Sequence, residues 1–551
     1  MLTQLLDVFS FISVLLRGSA LAFESLILGG AVFSFWILRP LSVLSSSPVD
    51  GITDSMMGSS RRLMTWSALA LALVQICYVT ADSVLLTGTT GLGWRDLVSA
   101  GFFVSGATSA VVALITAAIV TRQGSTLPPA LMAASTIILI SLVATSHAAG
   151  RMEGRTALLL LSATHMLAAG CWIGGLPYLM LTLKRAPNLV VRRWVCRRFS
   201  NLAALSVVVL AVAGLLLSWV YVGSREAVYG TSYGAMVVSK AILFAVLLLL
   251  GGLNFLIVRR IATADDEVIA KLRRFVEAEI GIGFTVIFAA ASLTSQPPAA
   301  DLTADRVALS EIVQRFTPRW PTFTTPPIAS LSPATPLAFD TEENASRAPQ
   351  SYVPGTSYQP STPGDIAWSE YNHHWAGAIV LLVGLLALGA RVPAFRWARN
   401  WPLAFLALAV FLFLRADPEN WPLGPRGFWE SFLVAEVLQH RLFVVLIILF
   451  GFFEWGVTTG RIASPRAALV FPGVCAVGGA LLLTHAHPLG NIKEALLSEL
   501  SHIPLGILGV VAGWSRWLEW RTSDNSRRIL SYIWPACFVL VGAILLNYRE
   551  S

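Results

Sequence analysis

The chain has 551 residues, of which 55% are hydrophobic and only 13% charged, with a mean hydropathy of +0.69. Soluble domains carry roughly 25% charged residues, so an ordinary soluble globule is excluded, and the long unbroken apolar runs exclude the short alternating segments of a membrane β-barrel. The net charge of +8, from 39 Lys and Arg against 31 Asp and Glu, does not by itself point to nucleic acid, because in a membrane chain the place of the cations matters more than their sum.

Apolar runs predict an all-α, polytopic membrane protein of about fourteen spanning helices. The first eight fall near 7–38, 63–84, 98–120, 129–147, 156–183, 199–222, 232–258 and 278–294. The first run lacks a basic leader and a clear small-residue cleavage site, so it is expected to be a retained helix and not a signal peptide. A segment rich in Pro, Ser and Thr follows over 295–371, holding no His, Cys or Met. Its composition predicts an extended linker with short helices at most. Six further runs lie near 372–390, 400–414, 430–458, 467–486, 500–515 and 529–547. The expected organisation is therefore an eight-helix module over 1–294, an external linker over 295–371 and a six-helix module over 372–551.

Placing the N-terminus outside puts twice as many Lys and Arg in the cytoplasmic connections as in the external ones. Lys184, Arg185, Arg192, Arg193, Arg197 and Arg198 share one loop. The positive-inside rule then predicts both termini and the linker on the external side. Five cysteines, at 77, 171, 196, 475 and 537, show no CxxC spacing, which argues against a disulfide framework or a zinc ribbon. No Walker loop or HExxH pair is present. A transporter or metal-binding protein is expected before an enzyme.

The eight histidines carry the chemistry. On this topology His147, His165, His373, His374, His440, His485, His487 and His502 all fall at the external surface or in the external half of a helix. A histidine at a helix end is as often a polar anchor as a ligand. His165 and His440 lie deeper, where an imidazole needs a partner, and imidazole is a common ligand of copper, zinc and haem iron. Met152, Met166, Cys171 and Met180 lie near His147 and His165; thioether, thiol and imidazole together suit Cu(I), although such Met and Cys residues are more often packing groups. The small residues Ala168, Ala169, Gly170, Gly174 and Gly175 predict close approach by another helix. The second module has no methionine. Its imidazoles and carboxylates (Glu436 with His440, Glu499 with His502, and the pair His485 and His487) form a harder set, suited to Cu(II), zinc or, with two axial imidazoles, haem. Arg17, Glu24 and Lys240 are buried charges expected to face the bundle interior.

The stretch Thr164-His165-Met166-Leu167-Ala168-Ala169-Gly170-Cys171-Trp172-Ile173-Gly174-Gly175-Leu176 resembles the copper resistance D (CopD) family of bacterial inner-membrane proteins. So do Arg198-Phe199-Ser200, Gly214, Tyr233-Gly234, Lys240 and Asn254 in that order. The likeness covers roughly residues 130–295, and the second module looks like an extension found in longer members. The resemblance implies a role in copper uptake or tolerance beside a periplasmic copper-binding partner, in the inner membrane. Expected metal ligands are His147 and His165, with Met152 and Met166 as soft partners. His373, His374, His485, His487 and His502 would receive the ion outside, and His440 would hold it deeper. The rival expectation is an electron-transfer protein with haem b on His165 and His440. No His or Met ladder continues to the cytoplasmic side.

Overall fold

The computed structural model describes residues 2–44, 50–122, 127–186, 188–260, 266–303, 306–331, 362–433, 435–484, 492–523 and 525–550. Helices dominate, and no β-strand forms among the described residues. Among the described residues, twelve helices are long and apolar enough to cross a membrane. The two other predicted spans fall on the shorter helix Leu127–Ala144 and on Ile492–Arg521. This is a multi-pass, all-α membrane protein. Its contacts divide it into a first unit built on Met1–Arg306 and a second built on Val307–Leu483 and His487–Ser551.

In the first unit the long helices are α1 (Leu2–Phe33), α2 (Asp50–Thr90), α3 (Gly101–Thr121), α4 (Leu127–Ala144), α5 (Arg155–Ala169), α6 (Leu176–Arg185), α7 (Leu189–Val222), α8 (Ser232–Arg260) and α9 (Asp266–Thr294). Helix α1 is central, packing against α2, α4 and α9, with Ala20, Ile27, Ala68, Leu71, Ala113 and Ile138 in one buried cluster. Between α5 and α6 the chain makes a π-turn, Gly170–Gly174. There the predicted close approach occurs: a Cβ on Gly174 would stand 1.8 Å from the Ser25 carbonyl oxygen of α1. With no hydrophobic force between helices in lipid, such small-residue contact is what brings backbones together. Past α1 a second π-turn, Ser34–Leu38, offers its Trp36 carbonyl to Arg198 Nε at 2.6 Å, which ties the start of α7 to the first helix.

The second unit holds α10 (Pro363–Gly389), α11 (Ala404–Arg415), α12 (Ala435–Thr458), α13 (Val470–Thr484), α14 (Ile492–Arg521) and α15 (Asn525–Leu546) around Val383, Trp401, Phe471, Ala512 and Trp534. Helix α10 begins nine residues before the sequence expectation. Thr362 Oγ1 accepts from the Asp365 N–H, Asp365 Oδ2 accepts from the Thr362 N–H, and Pro363 follows the cap. That capping box with proline in the first turn starts a helix whatever the polarity of the next turn. Likewise α7 starts at Leu189 because Asn188 Oδ1 accepts from the Val191 N–H at 2.9 Å. Of the predicted linker, Leu309–Phe316 is a short helix, and residues 332–361 lie outside the described residues.

Candidate metal centre

In the first unit His147 opens a short 3-10 turn, His147–Gly150, after α4. Its Nε2 lies 3.4 Å from the Leu293 carbonyl oxygen. A carbonyl only accepts, so Nε2 carries the proton and Nδ1 keeps the lone pair. The rings of Tyr221 and Tyr233 stand 6.0 and 6.2 Å away. Beside it Arg151 grips Asp301 with two bonds of 2.8 and 2.9 Å, and Arg17 donates to the Thr145 carbonyl at 2.9 Å. Thr145, Ser146, His147, Gly150, Arg151, Pro298 and Asp301 line a cleft of about 340 Å³. Burial holds the His147 imidazole below its ordinary pKa, helped by Arg17 and Arg151 and opposed by the Leu293 carbonyl and Asp301. A neutral imidazole with a lone pair is the form that binds metal.

His165, on α5, presents a buried Nδ1 with no hydrogen-bond partner. A Cβ on Gly214 of α7 would come 3.1 Å from its Cε1, so the glycine leaves the space the ring occupies. Lys240 of α8 is near enough to act on this imidazole electrostatically. The sulfur residues fare differently. Met152 is 96% exposed, and Met166 packs with Leu28, Leu139, Val143, Leu159 and Ala163 in an apolar cluster. Cys171 is buried as a free thiol in the π-turn.

In the second unit three of the predicted histidines meet one residue, Tyr548. The His373 ring stacks on it at 3.7 Å, and the His502 ring meets it edge-on at 6.1 Å. His374 Nε2 donates to the Tyr548 carbonyl at 3.1 Å while Nδ1 accepts from the Thr322 N–H at 2.9 Å. Both ring nitrogens of His374 are thereby used. His373 donates Nδ1–H to the Ser369 carbonyl at 2.8 Å, and Glu550 accepts from Ser369 Oγ and Tyr548 Oη at 2.6 and 2.8 Å. His440 Nδ1 lies 2.7 Å from Asp417 Oδ1. His485 and His487 lie outside the described residues. Among the described residues no group of three or more His, Cys, Asp or Glu side chains is placed to hold a metal ion.

Sequence reasoning singled out the imidazoles and passed over several buried acids. Glu279 of α9 accepts from Trp172 Nε1 at 2.7 Å and from Asn254 Nδ2 at 2.6 Å. Glu519 of α14 accepts from Arg391, Arg516 and Trp534 at 2.7–2.8 Å, and Glu454 of α12 lies 3.7 Å from Arg516. An acid inside or beside an apolar run was the available signal.

The family model for copper resistance protein D (CopD) matches residues 193–293, which lie on α7, α8 and α9. This region is similar to CopD. Over 163 residues the chain is 32% identical to the copper transport protein CutJ of Bacillus subtilis (strain 168). That alignment covers 29% of this chain and 29% of CutJ, so the chain spans less than a third of that relative's length. No solved structure matches. Gly214, Lys240, Asn254 and Glu279 all lie within the CopD-matched residues.

Proposed function

We propose that this CopD-family chain takes copper from the external side of a bacterial inner membrane and passes it inward. Both termini would lie in the periplasm, where a copper-binding protein would deliver the ion. Receiving groups are the imidazoles of His147 and His165 in the first unit and of His373, His440 and His502 in the second. One observation carries the reading: the CopD-matched helix α7 places Gly214 against His165, a half-buried residue whose Nδ1 is buried and has no partner. A buried nitrogen left unpaired is costly unless a ligand or proton donor satisfies it, and imidazole is a good copper ligand. The name of CutJ supplies copper transport as the activity to test.

The experiment measures bound copper and iron in the purified chain, and copper accumulation in cells that express it. The expected result is copper on the wild type, less on His165→Ala at equal folded yield, and accumulation that falls in the same variant. Iron with a Soret band in place of copper would overturn the proposal in favour of haem b electron transfer. Unchanged copper in His165→Ala would remove this residue from the ligand set.

A further inference from the structure

Glu24 of α1 is 1% exposed and is not among the receiving groups named above. Its Oε1 accepts from Gln75 Nε2 of α2 at 3.4 Å, and its Oε2 is buried with no hydrogen-bond partner. Ser109 of α3 stands beside it, and Arg17 is the cation that acts on it. The two residues are seven apart on α1, about 10 Å along the axis at the helical rise, and the guanidinium is spent on the Thr145 carbonyl at 2.9 Å. From α4 and α9 this part of α1 meets Ile138 and Phe288, which carry no charge. A carboxyl buried in this way is neutralised by a proton or bound to a cation. Its surroundings choose between the two. Gln75 turns an N–H to the acid and Arg17 is itself positive, so neither offers a lone pair to a metal ion. A proton needs a single lone pair, and Oε2 supplies it.

Helix α2 supplies a route to that oxygen. A cavity of about 610 Å³ lies between α2 and α3, with Gln75, Thr80, Ser83 and Thr87 on its α2 wall and Trp94 at the far end. Thr80, Ser83 and Thr87 recur at three and four residues and so share one face of the helix. Ser83 Oγ is buried with no partner, and hydroxyls on a cavity wall are what water needs in order to enter. Gln75 lines the cavity and also bonds Glu24, so it joins the two. Tyr78 and Asp82, the titratable groups of α2 in this region, both feel Arg17. The direction follows from Arg17, whose partner Thr145 lies on the wall of the His147 cleft. That end of α1 is the external one in the proposed topology, and α2 climbs back toward it from Gln75 to Thr87.

We propose that Glu24 is a proton-binding site, loaded from the external side along Thr87, Ser83 and Gln75, and that Arg17 links its charge to the His147 cleft. With the proton on Oε2 the acid is neutral, and Arg17 stays on the Thr145 carbonyl. When that O–H bond breaks and the proton passes to water in the cavity, the carboxylate draws the guanidinium away from the cleft. A cleft relieved of a cation accepts a copper ion more readily, so by reciprocity copper binding expels the Glu24 proton. This link rests on the copper reading above; the proton site does not.

The test uses the purified full-length chain in lipid nanodiscs. Infrared difference spectra between acidic and alkaline buffer should show a carboxylic-acid carbonyl band, one component of which is lost in Glu24→Gln and shifted in Gln75→Leu. Identical spectra for the wild type and Glu24→Gln overturn the site. Should Glu24→Gln fail to fold, Glu24→Asp, which moves the acid and keeps it, must shift the same component, and an unshifted band has the same force. Cu(I) is then added in weak buffer with a pH dye, and the wild type is expected to release a proton that Glu24→Gln does not. Equal release by both overturns the link to the cleft and leaves the site to the infrared band. A wild type that binds no Cu(I) overturns the copper reading and the link together, and the band still decides the site.

Discussion

Nδ1 of His440 lies 2.7 Å from Oδ1 of Asp417, joining α12 to the turn that follows α11. A carboxylate only accepts, so it fixes the proton on Nδ1. This is how carboxylates orient and strengthen metal-bound histidines. Next along the chain, Arg441 donates to the Phe413 and Trp421 carbonyls at 2.6 and 2.7 Å. Adjacent residues of α12 therefore hold both the acid and the carbonyls around the end of α11. Asp417 Oδ2 is buried without a partner, so removing the imidazole strands the acid. We expect His440→Ala to destabilise the chain more than Asp417→Asn, and a double-mutant cycle to give a coupling of about 1 kcal/mol, since His440 is partly exposed. Unfolding in a mild detergent measures it, and additive effects would show that the pair is not coupled. Copper that falls in Asp417→Asn at equal folded yield would show His440 acting as a ligand oriented by the acid.

His374 gives the opposite expectation. With Nδ1 on the Thr322 N–H and Nε2 on the Tyr548 carbonyl, this ring, 5% exposed, works as a bracket between chain segments. His374→Ala leaves a buried donor and a buried acceptor unmet, at a cost of about 2–4 kcal/mol. A lower melting temperature with unchanged copper per folded chain is the expected outcome. Less copper at equal folded yield would return His374 to the ligands.

How far the sequence reached depends on the scale of the signal. The spans were legible because each is a long apolar run, and a bilayer demands about 20 such residues. Helix starts such as Pro363 were misplaced because a cap is set by two or three side chains, which a hydropathy window averages away. The gathering of His373, His374 and His502 around Tyr548 was invisible for another reason: Tyr548 is distant in sequence from all three and carries no periodic signal. Met166 illustrates the remaining difficulty. Its softness suits copper as well as a core, and its packing against Leu28, Leu139 and Val143 is a contact that no hydropathy pattern reveals.

Glu519 anchors the charged core of the second unit, taking bonds from Arg391, Arg516 and Trp534. Both guanidinium groups also lie over the Trp534 ring, at 5.7 and 4.8 Å. Removing one partner of a buried network leaves the other charges uncompensated, which costs about 3–5 kcal/mol. Glu519→Gln is therefore expected to lose stability by that order, and Glu454→Gln, whose oxygen is 3.7 Å from Arg516, to lose less. Denaturant titration of the two variants in detergent tests the order; equal losses would place the anchor elsewhere.

The proposed topology predicts that, once the exposed native Cys77 is replaced by serine, a cysteine at Ser330 is labelled from outside intact cells and one at Pro187 is not. Pro187 lies outside the described residues, but it falls between the end of α6, with Lys184 and Arg185, and the start of α7, with Arg192, Arg193, Arg197 and Arg198. Labelling at Pro187 from the outside would invert the orientation, and with it the assignment of His147 to the receiving side.

His147 makes the pH dependence of that receiving side predictable. Its imidazole is pushed below the ordinary value first by burial, then by the Arg17 and Arg151 cations, while the Leu293 carbonyl and Asp301 pull it upward. The tyrosines Tyr221 and Tyr233 complete its surroundings. A lowered pKa means that the neutral, metal-binding form persists as pH falls through about 6.5 and is lost only below it. It also means that the folded state holds fewer protons on this residue than the unfolded state. Its contribution to stability is therefore present above about 6.5 and declines as pH falls. Removing Arg151 takes away a repelling cation and unpairs Asp301, so Arg151→Ala should move the His147 midpoint up. Asp301→Asn should move it down. Histidine-labelled protein, with the His147 signal assigned through His147→Gln, gives the midpoint by NMR titration, and copper retention over the same pH range should follow it. A wild-type midpoint at or above 6.5, or shifts in the same direction for the two variants, would contradict the electrostatic arrangement around this imidazole.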